Sequence, residues 1–472
     1  MTTSEFLSLL EQCPLIASVQ ASEGSPIDTR ETLARMALAS KNQGVRVLRM
    51  QGTANIAAGR AATGLPIIGL IKRPYADSEV YITATSSEIA ELDTEVIALD
   101  ATNRRRPNGE SLESLIAQAH QKGALVLADI DTPGSADYAI RCRADLISTT
   151  LGGYTNESRS TEGPDLELLR QVVTTSAVPV LAEGRFDQAW HAEAALRIGA
   201  KGVVIGGALN DPDKNTRRFL PKKRPEGLIG AIDIGGTWLR YATFSPHWRL
   251  LDCEKVLNPP DRKDRIDWIR HHIKNSGAGA VGVSTGGIVD PRTGEVWTAK
   301  EYLMPDHIGI RFDEATLGVP AHAHGDGHAT AWAHACLPTF AGKRVASLAL
   351  GTGVGCGFVQ ENRIWSGRRG EYPRINDLPA PAGSTYEDLL GGIHLTRLPT
   401  AEQKEKAVKA LQGAITALRD FYFPDEIIIA GSVGLSEWLA PHLEEHGAKP
   451  SPFGADAGLY GAAALALFPC YL

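Results

Sequence analysis

The chain has 472 residues, is 43% hydrophobic and carries a formal net charge of −7. This length supports two full cores, and the lack of a large basic field excludes nucleic acid as an expected partner. The six cysteines are scattered with no CxxC pair, which argues against a disulfide framework or a zinc site and fits a reducing compartment.

Residues 1–6 show neither a basic n-region nor a long apolar run. No signal peptide or membrane span is therefore expected, and the cytoplasm is the expected location. From residue 14 to 210, short apolar runs alternate with helix-like stretches. Strands are predicted at 15–19, 45–49, 67–71, 96–100, 125–129, 146–150, 178–183 and 203–207. The spacers are long enough for crossover helices, and some carry helical periodicity, as in Leu112, Leu115, Ile116 and Ala119. Eight such β-α units predict an α/β fold closed into a (β/α)8 TIM barrel. An open doubly wound sheet is the alternative that the alternation alone leaves open.

In a barrel, chemistry sits where the strands end. Those ends are polar here: Gln20, Arg49, Lys72, Asp100, Asp129, Thr150 and Glu183. A lone Lys in such a place is usually a solvated loop residue, and a lone Asp is often a helix N-cap. Seven at corresponding positions of successive strands point to a site. Strand seven ends in Glu183-Gly184-Arg185 and strand eight in Ile205-Gly206-Gly207. Glycine turns at these two places commonly hold a phosphate, so a phosphorylated substrate is expected. Opposite lie Lys72 and Glu183, a pair suited to proton abstraction next to a carbonyl. Desolvation and nearby Arg49 should lower the pKa of Lys72, leaving part of it a neutral base.

Ile68-Gly69-Leu70-Ile71-Lys72-Arg73, Ile97-Ala98-Leu99-Asp100-Ala101-Thr102, Thr149-Thr150-Leu151-Gly152-Gly153-Tyr154-Thr155, Thr161-Glu162-Gly163-Pro164-Asp165 and Ala182-Glu183-Gly184-Arg185 resemble N-acetylmannosamine-6-phosphate 2-epimerases. The resemblance covers roughly residues 10–220. It implies interconversion of N-acetylmannosamine 6-phosphate and N-acetylglucosamine 6-phosphate through the open-chain sugar, with no metal or organic cofactor. It further implies that Lys72 moves the C2 proton and that Glu183 assists, in ring opening or as the partner acid. By the same resemblance Gln20, Arg49 and Asp129 hold the sugar or orient Lys72, and Gly184, Arg185, Gly206 and Gly207 form the phosphate end.

Residues 211–227 are rich in charge and proline and read as an exit helix plus linker. Arg217 follows strand eight closely and is expected to cover a bound phosphate. The expected division is a barrel over 1–220, a linker over 221–227 and a second domain over 228–472. The second domain opens with Ala231-Ile232-Asp233-Ile234-Gly235-Gly236-Thr237, a strand running into a glycine turn. A second such turn, Leu350-Gly351-Thr352-Gly353-Val354-Gly355, follows a strand-like run at 347–350. Glycines let backbone N–H groups approach a phosphate with no Cβ in the way. Two such turns facing across a cleft would make a nucleotide site, with Asp233 at the strand end and the Thr237 hydroxyl beside it. Further landmarks are a strand into a glycine loop at 280–290, Asp326 at the start of a small-residue helix, and a buried strand meeting Gly431.

This series resembles the sugar-kinase and repressor (ROK) family of the two-lobed actin-like ATPase fold, over residues 228–472. The resemblance implies ATP, Mg²⁺ and phosphoryl transfer to a sugar hydroxyl. Asp326 matches the catalytic base. Arg369-Gly370-Glu371-Tyr372 and Tyr386-Glu387-Asp388 match sugar-binding segments, which gives Glu371 and Glu387 to sugar hydroxyls. Asp233, Gly235, Gly236, Thr237, Gly351, Thr352, Gly353 and Gly431 fall to the nucleotide. Gly325 stands where the family has Asn, Arg374 replaces its zinc-binding His, and the cysteine cluster that follows is missing, so no zinc is expected.

Together the resemblances imply a bifunctional enzyme of sialic-acid and amino-sugar breakdown, acting on small sugars and sugar phosphates. Related kinases often dimerise, so a homodimer is expected by analogy. The alternatives are an epimerase carrying a degenerate kinase-like domain, a kinase for another hexose such as glucose, and a sugar-responsive repressor. The last is disfavoured because a barrel stands where a helix-turn-helix would be.

Overall fold

The eight apolar runs of the first half form strands β1 (Leu15–Val19), β2 (Val47–Gln51), β3 (Ile67–Leu70), β4 (Val96–Asp100), β5 (Leu125–Asp129), β6 (Leu146–Ser148), β7 (Val180–Ala182) and β8 (Gly202–Ile205). All pair in parallel and in sequence order, and β1 closes on β8 with Ile16 opposite Val204. The closed barrel excludes the open-sheet alternative. The computed structural model describes every residue except 23, 162, 221–222, 301–303, 373, 381–382, 396–398 and 469–472. Glu162 of the sequence motif, Cys470 and the first two residues of the expected linker therefore lie outside the described residues. Two compact units are present, Met1–Pro221 and Lys222–Leu472.

Side chains alternate across a strand, and this rule places the barrel's polar residues. Ile16, Val47, Ile68, Val96, Leu125, Leu146, Leu181 and Val204 fill the barrel interior. Their neighbours, such as Leu48, Ile97 and Val126, pack outward against the helices. Stepping by two along each inward row reaches Ser18, Arg49, Asp129, Ser148 and Glu183. These rows run out of apolar residues at the C-terminal rim. At the opposite end the helix Thr3–Gln12 buries Phe6 and Leu10 in the same interior cluster. Each buried side chain contributes about 1.5–3 kcal/mol, and together they plug that end, so the open mouth lies where the strands finish.

The second unit contains two five-stranded sheets of the same plan. One is ordered β11-β10-β9-β12-β15 and the other β18-β17-β16-β19-β20. The first is built from β9 (Ile229–Ile234), β10 (Trp238–Phe244), β11 (Leu250–Leu257), β12 (Ala280–Thr285) and β15 (Ala321–Gly325). Between them in sequence lies the separate hairpin β13 (Ile288–Asp290) and β14 (Glu295–Thr298). The second sheet is built from β16 (Val345–Leu350), β17 (Val354–Gln360), β18 (Arg363–Ile364), β19 (Glu426–Ala430) and β20 (Lys449–Pro450). In each sheet the first two strands form an antiparallel pair, and the third element of the core pairs parallel to the first. The two glycine turns are the equivalent β9–β10 and β16–β17 connections. Helices Asp326–Ala335 and Ala457–Leu467 are almost entirely buried and rich in Ala and Gly. Small residues let backbones approach closely: a Cβ at Gly461 would stand 2.6 Å from the Ala329 carbonyl. Among the described residues no helix is long and apolar enough to cross a membrane.

Candidate active sites

The barrel mouth is a cavity of about 1190 Å³ lined by Gln20, Arg49, Lys72, Thr150, Glu183 and the turns after β7 and β8. Arg49 is the hub. It is fully enclosed, and its guanidinium donates to both carboxylate oxygens of Asp129, at 3.0 and 2.6 Å. The same group lies 3.1 Å from Glu183 Oε2. Burial works against its charge, but Asp129 and then Glu183 outweigh it and raise its pKa. Thr150 places its hydroxyl 2.6 Å from Asp129 Oδ1 and 3.1 Å from Glu183 Oε2. One cation thus serves two carboxylates. Desolvation, opposed by Arg49 and assisted by Asp129, pushes Glu183 up to about 7.

Lys72 follows β3 by two residues and opens onto the cavity. Among the described residues its amine has no hydrogen-bond or ion-pair partner. Loss of hydration in the mouth lowers its pKa, and Arg49 lowers it further against the pull of Glu183 and Asp129. The amine still reaches cavity water, so the lowering is less than full burial would give. Gln20 donates to Ser18 Oγ at 2.9 Å, while its amide oxygen is buried without a partner. Asp129 lies beneath the cavity floor. Asp100, another polar strand end, folds back onto Thr102 and Arg104 and serves its own loop.

At the far end of the mouth, Gly184 adopts φ +102°, a conformation that favours glycine. Arg185 lines the cavity, yet its guanidinium donates to Gly163 O and Thr161 Oγ1 and lies 5.0 Å from the centre of the Tyr154 ring. Gly206 and Gly207 form the turn after β8. The side chains that line the cavity beside it come from the exit helix Pro212–Phe219. They are Lys214, Asn215 and Arg218, whereas Arg217, expected to cover the phosphate, is not among the lining residues. Lys214 and Arg218 share one helix face through their i, i+4 spacing, but the charged run reads in the sequence as a solvated connector.

In the second unit the two glycine turns face each other, with the hydroxyls of Thr237 and Thr352 3.0 Å apart. They bound a cavity of about 540 Å³. Gly236, Thr237, Gly351 and Thr352 line it, together with Ser432, Ile393, Val433 and Trp438. The last three form an apolar wall suited to a planar base. Gly431, at φ +87°, has no room for a Cβ against the Leu350 backbone. Neither it nor Asp233, Gly235 or Gly353 lines the cavity. Asp233 is gripped by Arg240, which approaches its Oδ2 at 3.0 and 2.5 Å.

Asp326 opens its helix beside these turns and accepts from Gly327 N–H at 2.7 Å. Burial, with added repulsion from Asp233 and Glu387, lifts it to about 7. Gly355 faces it because any Cβ there would collide with its carboxylate. A Cβ at Gly325 would lie 2.9 Å from Gly287 O, a steric reason for glycine at this place. Glu371 turns back to accept from Arg369 N–H at 2.7 Å. Glu387 is buried, accepting from Val354 N–H at 3.2 Å and pairing with Lys300 at 3.2 Å. Neither glutamate lines either cavity. Arg374 pairs with Asp377. Among the described residues no cluster of three or more His, Cys, Asp or Glu is arranged to hold a metal ion.

The family model "Putative N-acetylmannosamine-6-phosphate epimerase" (NanE) matches residues 33–224, and the ROK family model matches residues 229–379. Over nearly its whole length the chain is similar to "Bifunctional enzyme NanE/NanK" of Brucella melitensis, with 30% identity covering 96% of each protein. Its first part is 44% identical to a "Putative N-acetylmannosamine-6-phosphate 2-epimerase" of Clostridium perfringens, over 43% of this chain and 94% of that one. A solved N-acetylmannosamine-6-phosphate 2-epimerase from Clostridium perfringens is 41% identical, covers 46% of this chain and 96% of its own, and gives a TM-score of 0.45. A solved ROK family glucokinase from Streptomyces griseus, in complex with glucose and AMPPNP, is 20% identical, with coverages of 51% and 99% and a TM-score of 0.45.

Proposed function

Because the chain belongs to the bifunctional NanE/NanK enzymes, we propose that it phosphorylates N-acetylmannosamine at the 6-hydroxyl and epimerises the product at C2 to N-acetylglucosamine 6-phosphate. The observation that carries this reading is the pairing, in one chain, of a free amine at a barrel mouth and a buried carboxylate beside two facing glycine turns. Amino sugars and their phosphates are the proposed partners, the cytoplasm the proposed location and a homodimer the proposed assembly.

In the barrel, the open-chain substrate presents a C1 aldehyde that acidifies the C2 proton. The unprotonated Lys72 amine takes that proton, and the C–H electron pair moves toward the carbonyl oxygen. In ring opening Glu183 takes the C1 hydroxyl proton as the C1–O5 bond breaks and water protonates the ring oxygen; it then gives that proton to the carbonyl oxygen as the C2 proton leaves. Lys72 returns a proton to the other face of the planar C2 while Glu183 takes back the enol O–H proton, and the aldehyde of the epimer re-forms. The cavity is roomy enough for the intermediate to turn. Arg49 and Asp129 fix Glu183. Gly184, Gly206 and Gly207 leave space for the phosphate, and Gln20's unpaired oxygen faces the sugar.

In the second unit, Asp326 accepts the proton of the sugar hydroxyl as its oxygen attacks phosphorus. ATP fits the site: the facing turns offer N–H groups and two hydroxyls, and the apolar wall takes the base. Mg²⁺, carried mainly by the nucleotide's phosphates, supplies charge neutralisation when bound. Gly236, Thr237, Gly351 and Thr352 hold the phosphates, while Arg240 fixes Asp233. Glu371 and Glu387 are proposed to order the loops that receive the sugar. The intact turns and Asp326 favour an active kinase over a degenerate one.

Incubation with N-acetylmannosamine, ATP and Mg²⁺ tests the whole reading. N-acetylmannosamine 6-phosphate should form first and N-acetylglucosamine 6-phosphate second. Absence of ADP would remove the kinase alone. A finer expectation concerns Thr150→Val. The Thr150 hydroxyl stabilises the charged form of Glu183, so its loss raises the Glu183 pKa. Epimerisation requires one proton shared between Glu183 and Lys72, and it fails at acid pH when both are protonated. The acid limb of the epimerase pH profile should therefore move to higher pH, with a stability loss of about 1 kcal/mol.

A further inference from the structure

We propose that Lys214 is a specificity-determining residue of the epimerase, the cation that grips the phosphate of its substrate over the β8 turn; this rests on the epimerase reading above. The turn itself offers no side chain. An added Cβ at Gly207 would stand 3.3 Å from Lys214 Cδ and 3.7 Å from its Nζ, so the amine already lies over the glycine. Lys214 shares one cavity with Lys72, whose pKa it helps to lower.

The other two cations at this end are committed. Arg185 is bonded to Gly163 and Thr161. Arg218 donates to Asp187 at 3.1 Å. Among the described residues Lys214 has one loose partner, Asp211 Oδ2 at 3.5 Å, and its side chain is 62% exposed. Asp211 is the opposite: 6% exposed and held by Ser22 Oγ at 3.0 Å and Lys214 N–H at 2.9 Å. The carboxylate is fixed and the amine can swing. A phosphate dianion above Gly206 and Gly207 carries more charge than one carboxylate and draws Lys214 across. Asp211 then acts as a competitor that keeps the amine when no dianion is present.

The test uses the full chain and two readouts, epimerase kinetics and calorimetric binding of inorganic phosphate. Lys214→Ala should raise KM about tenfold or more and weaken phosphate to the same extent, as expected for a hydrogen bond to a charged group, with kcat within about threefold. Lys214→Arg should recover most of the loss. Asp211→Asn, which keeps the helix cap, should tighten phosphate binding, a gain that a purely structural role cannot produce. Any phosphate bound by the second unit cancels between variants. KM and phosphate affinity within about twofold of wild type in Lys214→Ala would overturn the proposal, and so would weaker phosphate binding in Asp211→Asn. If wild type binds phosphate through Lys214 but epimerises nothing, the epimerase reading fails and the anion site stands.

Discussion

Replacing Lys72 with alanine is expected to cut epimerisation by about 10³–10⁴-fold, the upper range for loss of a positioned proton-transfer group, while ADP release from N-acetylmannosamine stays unchanged. The separation is clean because Lys72 opens onto the cavity and has no partner among the described residues. Its removal opens no core cavity and strands no buried charge, so stability should stay within about 0.5 kcal/mol. Lys72→Arg should be nearly as inactive, because a guanidinium does not surrender its proton near neutral pH. Progress curves for the sugar phosphate, beside thermal melts of both variants, check this. Equal losses in both half-reactions would point to misfolding instead.

The second large effect belongs to Asp326. Asp326→Asn preserves the acceptor for Gly327 N–H but removes the proton acceptor, and phosphoryl transfer should fall by about 10²–10⁴-fold. Stability should hold or rise, since a desolvated carboxylate is replaced by a neutral amide. The wild-type enzyme should carry a further mark. A carboxylate lifted to about 7 is ionised, and competent as a base, only above that pH. Kinase kcat/KM should therefore fall as pH drops through about 7, not near the ordinary carboxylate range. Coupled ADP assays on either side of that value read it directly.

Much of this was legible in the chain. The eight barrel runs were visible because parallel barrel strands are short, apolar and evenly spaced. Their ends pointed to the mouth because period two continues past the last apolar residue. The bounds moved where local signals were weak: Val45 lies before β2, and β7 stops at Ala182, so Glu183 sits just past a strand. Arg49's bond to Asp129 spans 80 residues and is fixed by the barrel alone, with no local trace. Lys214 was hidden by composition, since a charged, proline-rich stretch reads as solvated connector. In the second unit, β11 escaped prediction because it is an edge strand exposed along most of its length. The helix Ala401–Tyr422 was not predicted either, although the residues it buries, Ala407, Ala410, Leu411, Ala414, Ile415 and Leu418, follow a helical period. Glu371 and Glu387 show the limit of motif matching: a matched position gives the residue but not the direction of its carboxylate.

Epimerisation turns on an amine that removes and restores hydrogen at the carbon beside an aldehyde. The most direct measurement is turnover of N-acetylmannosamine 6-phosphate in heavy water, with C2 read by NMR. The N-acetylglucosamine 6-phosphate formed should carry deuterium at C2. Complete conversion with the original hydrogen still at C2 of every product molecule would contradict this mechanism.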